Sequence, residues 1–350
     1  MKDAFSQIVK EHARRYPKME IPDYGKLAFQ SEYGPGHFIA ERQTALDFLQ
    51  EEMAELPFDT VPENTEPIGG GLCRFPLSFC KSEAEISILA KLFFLTAGEH
   101  RGFTEGIKSK ASELKKLRIP GMAEWLEDWE KKGYPPVSHS QSFREAYHPH
   151  YRVIKREYAG FFPAAVAVER LMEAGETILI CIDGRCGSGK TSLAGLFGRL
   201  FDCNIFHMDD FYLPAAKRPG SFREIPGGNM DFNRILDEIC DPVQKRQPVI
   251  YRPYDCRKGQ ITDMVRMEPK LLNILEGSYS HHPALSKACR YKIFLTCSRE
   301  EQKSRLQKRE GDYYSAFEKQ WIPLEEHYYQ CCAVEQKSDL IMDTSEFFTL

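Results

Sequence analysis

No stretch of the 350 residues comes near the about 18 uninterrupted apolar positions that a membrane-spanning helix needs, so a helical membrane protein is excluded. Charge of one sign is also lacking. With 47 basic and 51 acidic side chains the net charge is −4, which gives no general reason to expect nucleic acid or an anionic membrane as a partner. The opening Met1-Lys2-Asp3-Ala4-Phe5 has no basic-then-apolar pattern of an export signal. The eleven cysteines are odd in number and contain no C-x-x-C, so they read as reduced thiols of a cytoplasmic protein. Six of the ten histidines precede residue 151 (His12, His37, His100, His139, His148 and His150), but none stands in an H-E-x-x-H or other metal spacing. Internal repeats, low-complexity tracts and the N-K-x-D segment of a guanine-specific switch are absent too.

What is present is a complete phosphate-binding loop. Residues 184–191 read Gly184-Arg185-Cys186-Gly187-Ser188-Gly189-Lys190-Thr191, the pattern G-x-x-x-x-G-K-[ST]. Four fixed positions recur by accident in roughly 1% of chains this long, and the flanks lower that further. The apolar, β-branched run Thr177–Ile182 before the loop suits a buried strand, and Ser192–Leu200 after it has apolar residues at helical spacing. Glycines let successive N–H groups turn inward around a polyphosphate, and the helix N-terminus, opening at Lys190, Thr191 and Ser192, adds partial positive charge. Lys190 is placed for the β and γ phosphates and Thr191 for Mg²⁺. The chain is expected to bind a nucleoside triphosphate, ATP with Mg²⁺.

Two units are expected, a mostly helical one over 1–150 and a phosphate-loop domain over 151–350, separated by the turn-rich Tyr134–Ser140. Helical spacing marks Phe5–Val9, Ala40–Leu56 and Glu83–Thr96 in the first. In the second, strands are predicted at Thr177–Asp183, Asn204–Met208, Val249–Tyr251, Leu271–Glu276, Tyr291–Cys297 and Asp339–Met342. Helices between most of them predict an α/β fold, a parallel sheet covered on both faces, with ligands at the carboxyl ends of the strands.

Asp209-Asp210-Phe211-Tyr212 follows the second predicted strand. A carboxylate there, Asp209 above all, is placed to take a proton from an attacking hydroxyl or to hold Mg²⁺ through water. Glu276 ends an apolar run and is costly to bury unless it serves an ion or a hydrogen bond. Arg305 and Arg309 stand four apart in a basic helical stretch and share one face.

On these segments the chain resembles the uridine kinase, phosphoribulokinase and bacterial pantothenate kinase group of P-loop kinases, over roughly residues 178–344. Asp209–Tyr212 resembles the Asp-Ser-Phe-Tyr or Asp-Asp-Phe-Tyr segment of the uridine kinase branch, Gly228–Asn233 its Asn-Phe-Asp segment, Tyr251–Asp255 its Pro-x-Tyr-Asp, and Leu275–Tyr279, through Glu276-Gly277, its Glu-Gly. The resemblance implies an ATP-dependent kinase with Asp209 as base and Glu276, Thr191 and Asp209 near Mg²⁺. It further implies Tyr212, Asp231 and Tyr254 as acceptor contacts, and Arg305 and Arg309 on a lid closing over the phosphates. Phe232-Asn233 stands where the branch has His-Pro, and the lid is shorter, running early into Gly311-Asp312. The ATP half is thus intact while the acceptor stays open among a nucleoside, a sugar and a vitamin-like alcohol. A regulatory ATPase or switch read out by the amino-terminal helices is the alternative. The expected partner is a small hydroxyl acceptor, with no nucleic acid or membrane and with a homo-oligomer left open. Ser31–Ile39, with Gly34-Pro35-Gly36-His37, and Gly69-Gly70-Gly71, with Arg74 beyond, read either as an anion or regulatory site or as turns holding helices together.

Overall fold

The computed structural model describes residues 4–35, 41–56, 64–256 and 258–348. They form two compact units, Met1–Val166 with Phe347–Leu350, and Ala167–Glu346.

The first unit contains α1 (Ala4–Arg15), α2 (Ile21–Tyr33), α3 (Arg42–Glu55), β1 (Glu66–Gly69), β2 (Leu72–Pro76), α4 (Glu83–Glu99), α5 (Thr104–Lys115), α6 (Met122–Lys131), α7 (Gln141–Tyr147), β3 (Tyr151–Lys155) and the start of α8 (Arg156–Met172). Capping boxes start two of the helices: Glu20 with Asp23 at α2, and Ser82 with Glu85 at α4. The helices α1, α3 and α4 were legible; α2, α7 and the three-stranded antiparallel sheet β1-β2-β3 were not. Gly69, Gly70 and Gly71, all at positive φ, make the β1–β2 turn, and a Cβ on Gly70 would lie 2.4 Å from the Ser31 carbonyl oxygen. The glycine triplet is therefore a hairpin turn. Arg74 beyond it is buried and donates to Gln30 Oε1. Gly34 ends α2 at φ 67°, whereas Gly36, His37, Phe38 and Ile39 lie outside the described residues. Because β3 pairs with β2 (Cys73 opposite Ile154), residues 151–166 cluster with the first unit, and the division falls inside α8 rather than at 150.

The second unit runs through β4 (Ile178–Gly184), α9 (Lys190–Leu200), β5 (Cys203–His207), α10 (Phe232–Ile235), α11 (Asp241–Gln244), β6 (Val249–Tyr251), β7 (Tyr254–Asp255), β8 (Gln260–Ile261), β9 (Val265–Met267), β10 (Leu272–Glu276), β11 (Tyr291–Thr296), α12 (Arg299–Glu310), α13 (Tyr314–Ala316), α14 (Ile322–Cys332) and β12 (Leu340–Asp343). Five strands form an all-parallel sheet in the order β12-β11-β4-β10-β5. All residues of β4 and β10 are buried, as strands covered on both faces must be. Val249–Tyr251 is a correction. It pairs antiparallel with β9, outside the parallel sheet, because its partner follows in a local hairpin-like excursion. Cys181 on β4 and Cys289 stand side by side with Cα atoms 6.0 Å apart, and the other nine cysteines are free.

Candidate active site around the phosphate-binding loop

The chain leaves β4 for the edge strand β5, returns to β10 beside β4, and then crosses to β11 on the other side of β4. The sheet's connections thus reverse direction at β4, and ligands bind at the carboxyl ends of strands beside such a point. The register sets what stands there. Glu276 is level with Ile182 on one side and with His207 on the other, so β10 and β5 end in one row and β4 runs two residues further, to Gly184.

The loop closes directly onto β4. Gly184, Gly187 and Gly189 have φ of 143°, 77° and 97°, and Gly189 leads into α9 at Lys190. A Cβ on Gly184 would stand 2.0 Å from the Leu295 carbonyl oxygen, so no side chain fits where the strand turns. Ser188 Oγ is fully buried and has no hydrogen-bond partner among the described residues. An orphaned, buried hydroxyl in a glycine-rich loop that opens a helix fits a phosphate cradle. The fold is a parallel α/β sheet with a phosphate-binding loop, a P-loop, between β4 and α9.

Around this P-loop the structure gathers most of the predicted residues. Lys190 Nζ lies over the loop, donating to the Gly184 and Arg185 carbonyl oxygens at 2.5 and 3.2 Å. Thr191 Oγ1 donates to Glu276 Oε1 at 3.3 Å, and His207 Nδ1 bonds the same oxygen at 2.6 Å. That bond, ahead of the burial that opposes it, raises the His207 pKa. Asp209 is exposed at the surface, with dense protein around it. Burial, then the Glu276 charge, raises the Asp209 pKa, while Lys190, a hydrogen bond from Tyr212 and His207 pull it back. Asp210 is also raised, chiefly by burial, and Tyr251 donates to it at 3.3 Å.

No group of three or more His, Cys, Asp or Glu among the described residues is arranged to hold a metal alone. A magnesium ion arriving on a triphosphate takes phosphate and water oxygens and needs one or two from protein. Thr191 and Glu276, with Asp209 nearby, fit that need.

The other predicted residues are placed differently. Asp231 caps α10 through its Oδ1, which accepts from Arg234 N at 3.2 Å, and Tyr254 is buried in β7. Arg305 does not stand on an open lid. Its guanidinium donates to the Gly187 carbonyl oxygen at 3.3 Å and to Thr344 and Ser345, tying α12 to the loop. Arg309, on the same helix, is exposed beside Glu310.

Several residues that sequence reasoning passed over brace the loop. Cys186 N donates to Glu325 Oε2 at 3.0 Å, Gln302 donates to the Cys186 carbonyl oxygen, and Thr344 Oγ1 donates to the Ser188 carbonyl oxygen. Tyr329 OH donates to the Gly184 carbonyl oxygen at 2.8 Å, while buried Asp183 accepts from Gly184 N, His281 N and Tyr328 OH. Arg185 forms a two-pronged pair with Glu326. Burial and Glu325 push the Cys186 thiol up, so it is no thiolate. A signal did exist for Glu325. With Tyr328, Tyr329 and Cys332 it lies at i, i+3, i+4 and i+7, a carboxylate on the apolar stripe of its helix.

No family model matches the sequence, and no curated protein matches it. Solved structures resemble it. A possible uridine kinase from Bacillus stearothermophilus is 17% identical, with a TM-score of 0.39, over 50% of this chain and 97% of its own. A candidate fructose transport system kinase from Silicibacter sp. TM1040 is 20% identical, with a TM-score of 0.39, over 47% and 89%. The YGR205w protein is 13% identical, with a TM-score of 0.34, over 50% and 86%. Among the described residues, no helix is long and apolar enough to cross a membrane.

Proposed function

We propose that this protein is an ATP-dependent kinase that transfers the γ-phosphoryl group to a hydroxyl of a small metabolite. The observation that carries the reading is the meeting of three things at the ends of β4, β5 and β10: the amide-lined loop with Lys190, the Thr191–Glu276 pair, and the Asp209 carboxylate. Phosphoryl transfer asks a protein mainly for positioning and charge neutralisation. Asp209 takes the acceptor's hydroxyl proton as the acceptor oxygen bonds to the γ-phosphorus, and the bond to the β-phosphate oxygen breaks to release ADP. A pKa raised above the ordinary carboxylate value suits that base, since a base works best near the operating pH.

Lys190 exchanges its loop carbonyls for phosphate oxygens. Bound with the nucleotide, Mg²⁺ would supply further charge neutralisation, held by Thr191 and Glu276. Arg305 serves in this reading by holding the Gly187 carbonyl, and Arg309, exposed, leaves its pair with Glu310 to reach the phosphates. Tyr212, bonded to Asp209, together with Asp231 and Tyr254, contacts the acceptor in this reading. The acceptor is a nucleoside, a sugar or a vitamin-like alcohol.

A panel of nucleosides, pentose phosphates, pantothenate and glycerate, scored for ADP release with ATP and Mg²⁺, tests the reading. One class should stimulate release well above the background without acceptor. Release that no alcohol stimulates would instead favour the regulatory ATPase.

A further inference from the structure

The first unit contains a polar site that the kinase reading does not use. A cavity of about 350 Å³ is lined by Lys26, Gln30, His139, Tyr151 and Arg152, with Phe29, Phe93 and Val137 among its apolar walls. That volume lies within the range of small-molecule sites. Two of the lining residues are cations and none is a carboxylate.

The acids nearby are already engaged. Asp23, fully buried on α2, accepts four bonds: from Glu20 N at 2.9 Å, His139 Nδ1 at 2.8 Å, Ser140 N at 3.0 Å and Ser140 Oγ at 2.6 Å. Glu66 is held by Arg15 at 3.1 Å, by Tyr16 OH and by the buried Arg74. Lys26 is left short. Its ammonium has three N–H donors, yet the Val137 carbonyl oxygen at 3.3 Å is its one acceptor among the described residues, with no carboxylate in ion-pair range. Burial, then Arg74, lowers its pKa to about 8, which is the mark of an undercompensated cation. Arg152 is half committed, to Glu52 at 2.7 Å.

The neutral groups are fixed in direction. The Asp23 carboxylate can only accept, so His139 Nδ1 carries a proton. Burial holds the His139 pKa at about 4, so the ring is neutral, and its Nε2 lies 2.8 Å from Tyr151 OH, which also lies 3.3 Å from Gln30 Oε1. Gln30 Oε1 is taken by Arg74 Nε and Nη2 at 3.1 and 2.9 Å, which leaves the Gln30 amide N–H groups as donors. Spare N–H donors beside a rigid polar chain and aromatic walls make a specific, pre-oriented receptor.

We propose that this cavity binds a small organic anion, a carboxylate or a phosphate monoester on a flat apolar body, with Lys26 as its counter-ion. Calorimetric titration of the full chain with benzoate, phenyl phosphate and inorganic phosphate tests it. Benzoate or phenyl phosphate is expected to bind, and which of the two binds identifies the anion. That binding should weaken at least tenfold in Lys26→Met, recover in Lys26→Arg, and survive Lys190→Ala, which disables the phosphate loop. Arg152→Gln should weaken it in the same direction and provides the reading should Lys26→Met fail to fold. Absence of binding by both organic probes, binding indifferent to Lys26→Met and Arg152→Gln, or binding lost in Lys190→Ala overturns the proposal.

Discussion

The main-chain N–H of Cys186, inside the phosphate-binding loop, donates to the buried carboxylate of Glu325 at 3.0 Å. The other carboxylate oxygen accepts from Ser278 Oγ at 2.6 Å, so a negative group bridges the loop and the residues just after β10. Burial raises the Glu325 pKa, against the pull of Lys190, Ser278 and Cys186. The folded state therefore holds this proton more tightly than the unfolded chain. Its ionisation costs stability, and that cost appears as pH rises through the folded pKa.

Glu325→Gln keeps an acceptor oxygen and removes the charge. Nucleotide affinity is expected to rise by about tenfold, equivalent to about 1.4 kcal/mol, because phosphates no longer meet a carboxylate beside Lys190. Melting should also fall less between pH 5 and pH 8 than in the parent. Calorimetry and thermal melts at the two pH values check both, and weaker nucleotide binding would mean that the carboxylate shapes the loop rather than opposing its ligand.

Asp209→Asn should leave nucleotide affinity within a few-fold while turnover drops by about 10²-fold or more, as loss of a general base predicts. Its raised pKa has the same sign as that of Glu325, so the neutral amide should melt no lower than the parent at pH 7. Steady-state rates and one melting curve decide the point. Unchanged turnover removes Asp209 from the mechanism.

The first unit should respond to acid in the opposite sense. His139 has its pKa lowered from 6.5 to about 4, and that of His12 is lowered as well, in both cases by burial first. The unfolded chain then binds more protons between these values, so stability present above pH 6.5 is lost as pH falls towards 4. Trp125 and Trp129 lie in the first unit and Trp321 in the second. In Trp321→Phe, fluorescence reports the first unit alone, and its midpoint should drop between pH 7 and pH 4.5. Replacing His139 with Gln should flatten that drop.

Gly184→Ala should destabilise by about 3 kcal/mol or more, since the new methyl meets main chain on β11 that cannot move aside. Gly195→Ala, inside α9 with nothing within 4 Å of its Cβ, should be neutral or stabilising by up to about 1 kcal/mol. Urea unfolding of the pair separates the steric effect from a general intolerance of alanine.

How much was legible followed from how local each signal is. The run Thr177–Ile182, the loop and the helix after it are consecutive, and their reading required only periodicity and a motif. Val249–Tyr251 looked like the other strands because three apolar residues carry no information about their pairing partner; β9 claimed it through an antiparallel excursion. The β1-β2-β3 sheet escaped notice because β3 comes about 75 residues after β2 and its own five residues resemble a linker.

The residues by themselves determined the parallel α/β class, the phosphate loop and the acid after the second strand, because each is written in spacing along a continuous segment. Tertiary structure alone decided which groups meet: His207 with Glu276 through strand register, Glu325 with Cys186 through helix packing, and Asp23 with His139 across 116 positions. Such meetings depend on how distant segments bury their apolar faces together. That packing also turned Arg305, exposed by any reading of its helix alone, into a brace for the loop.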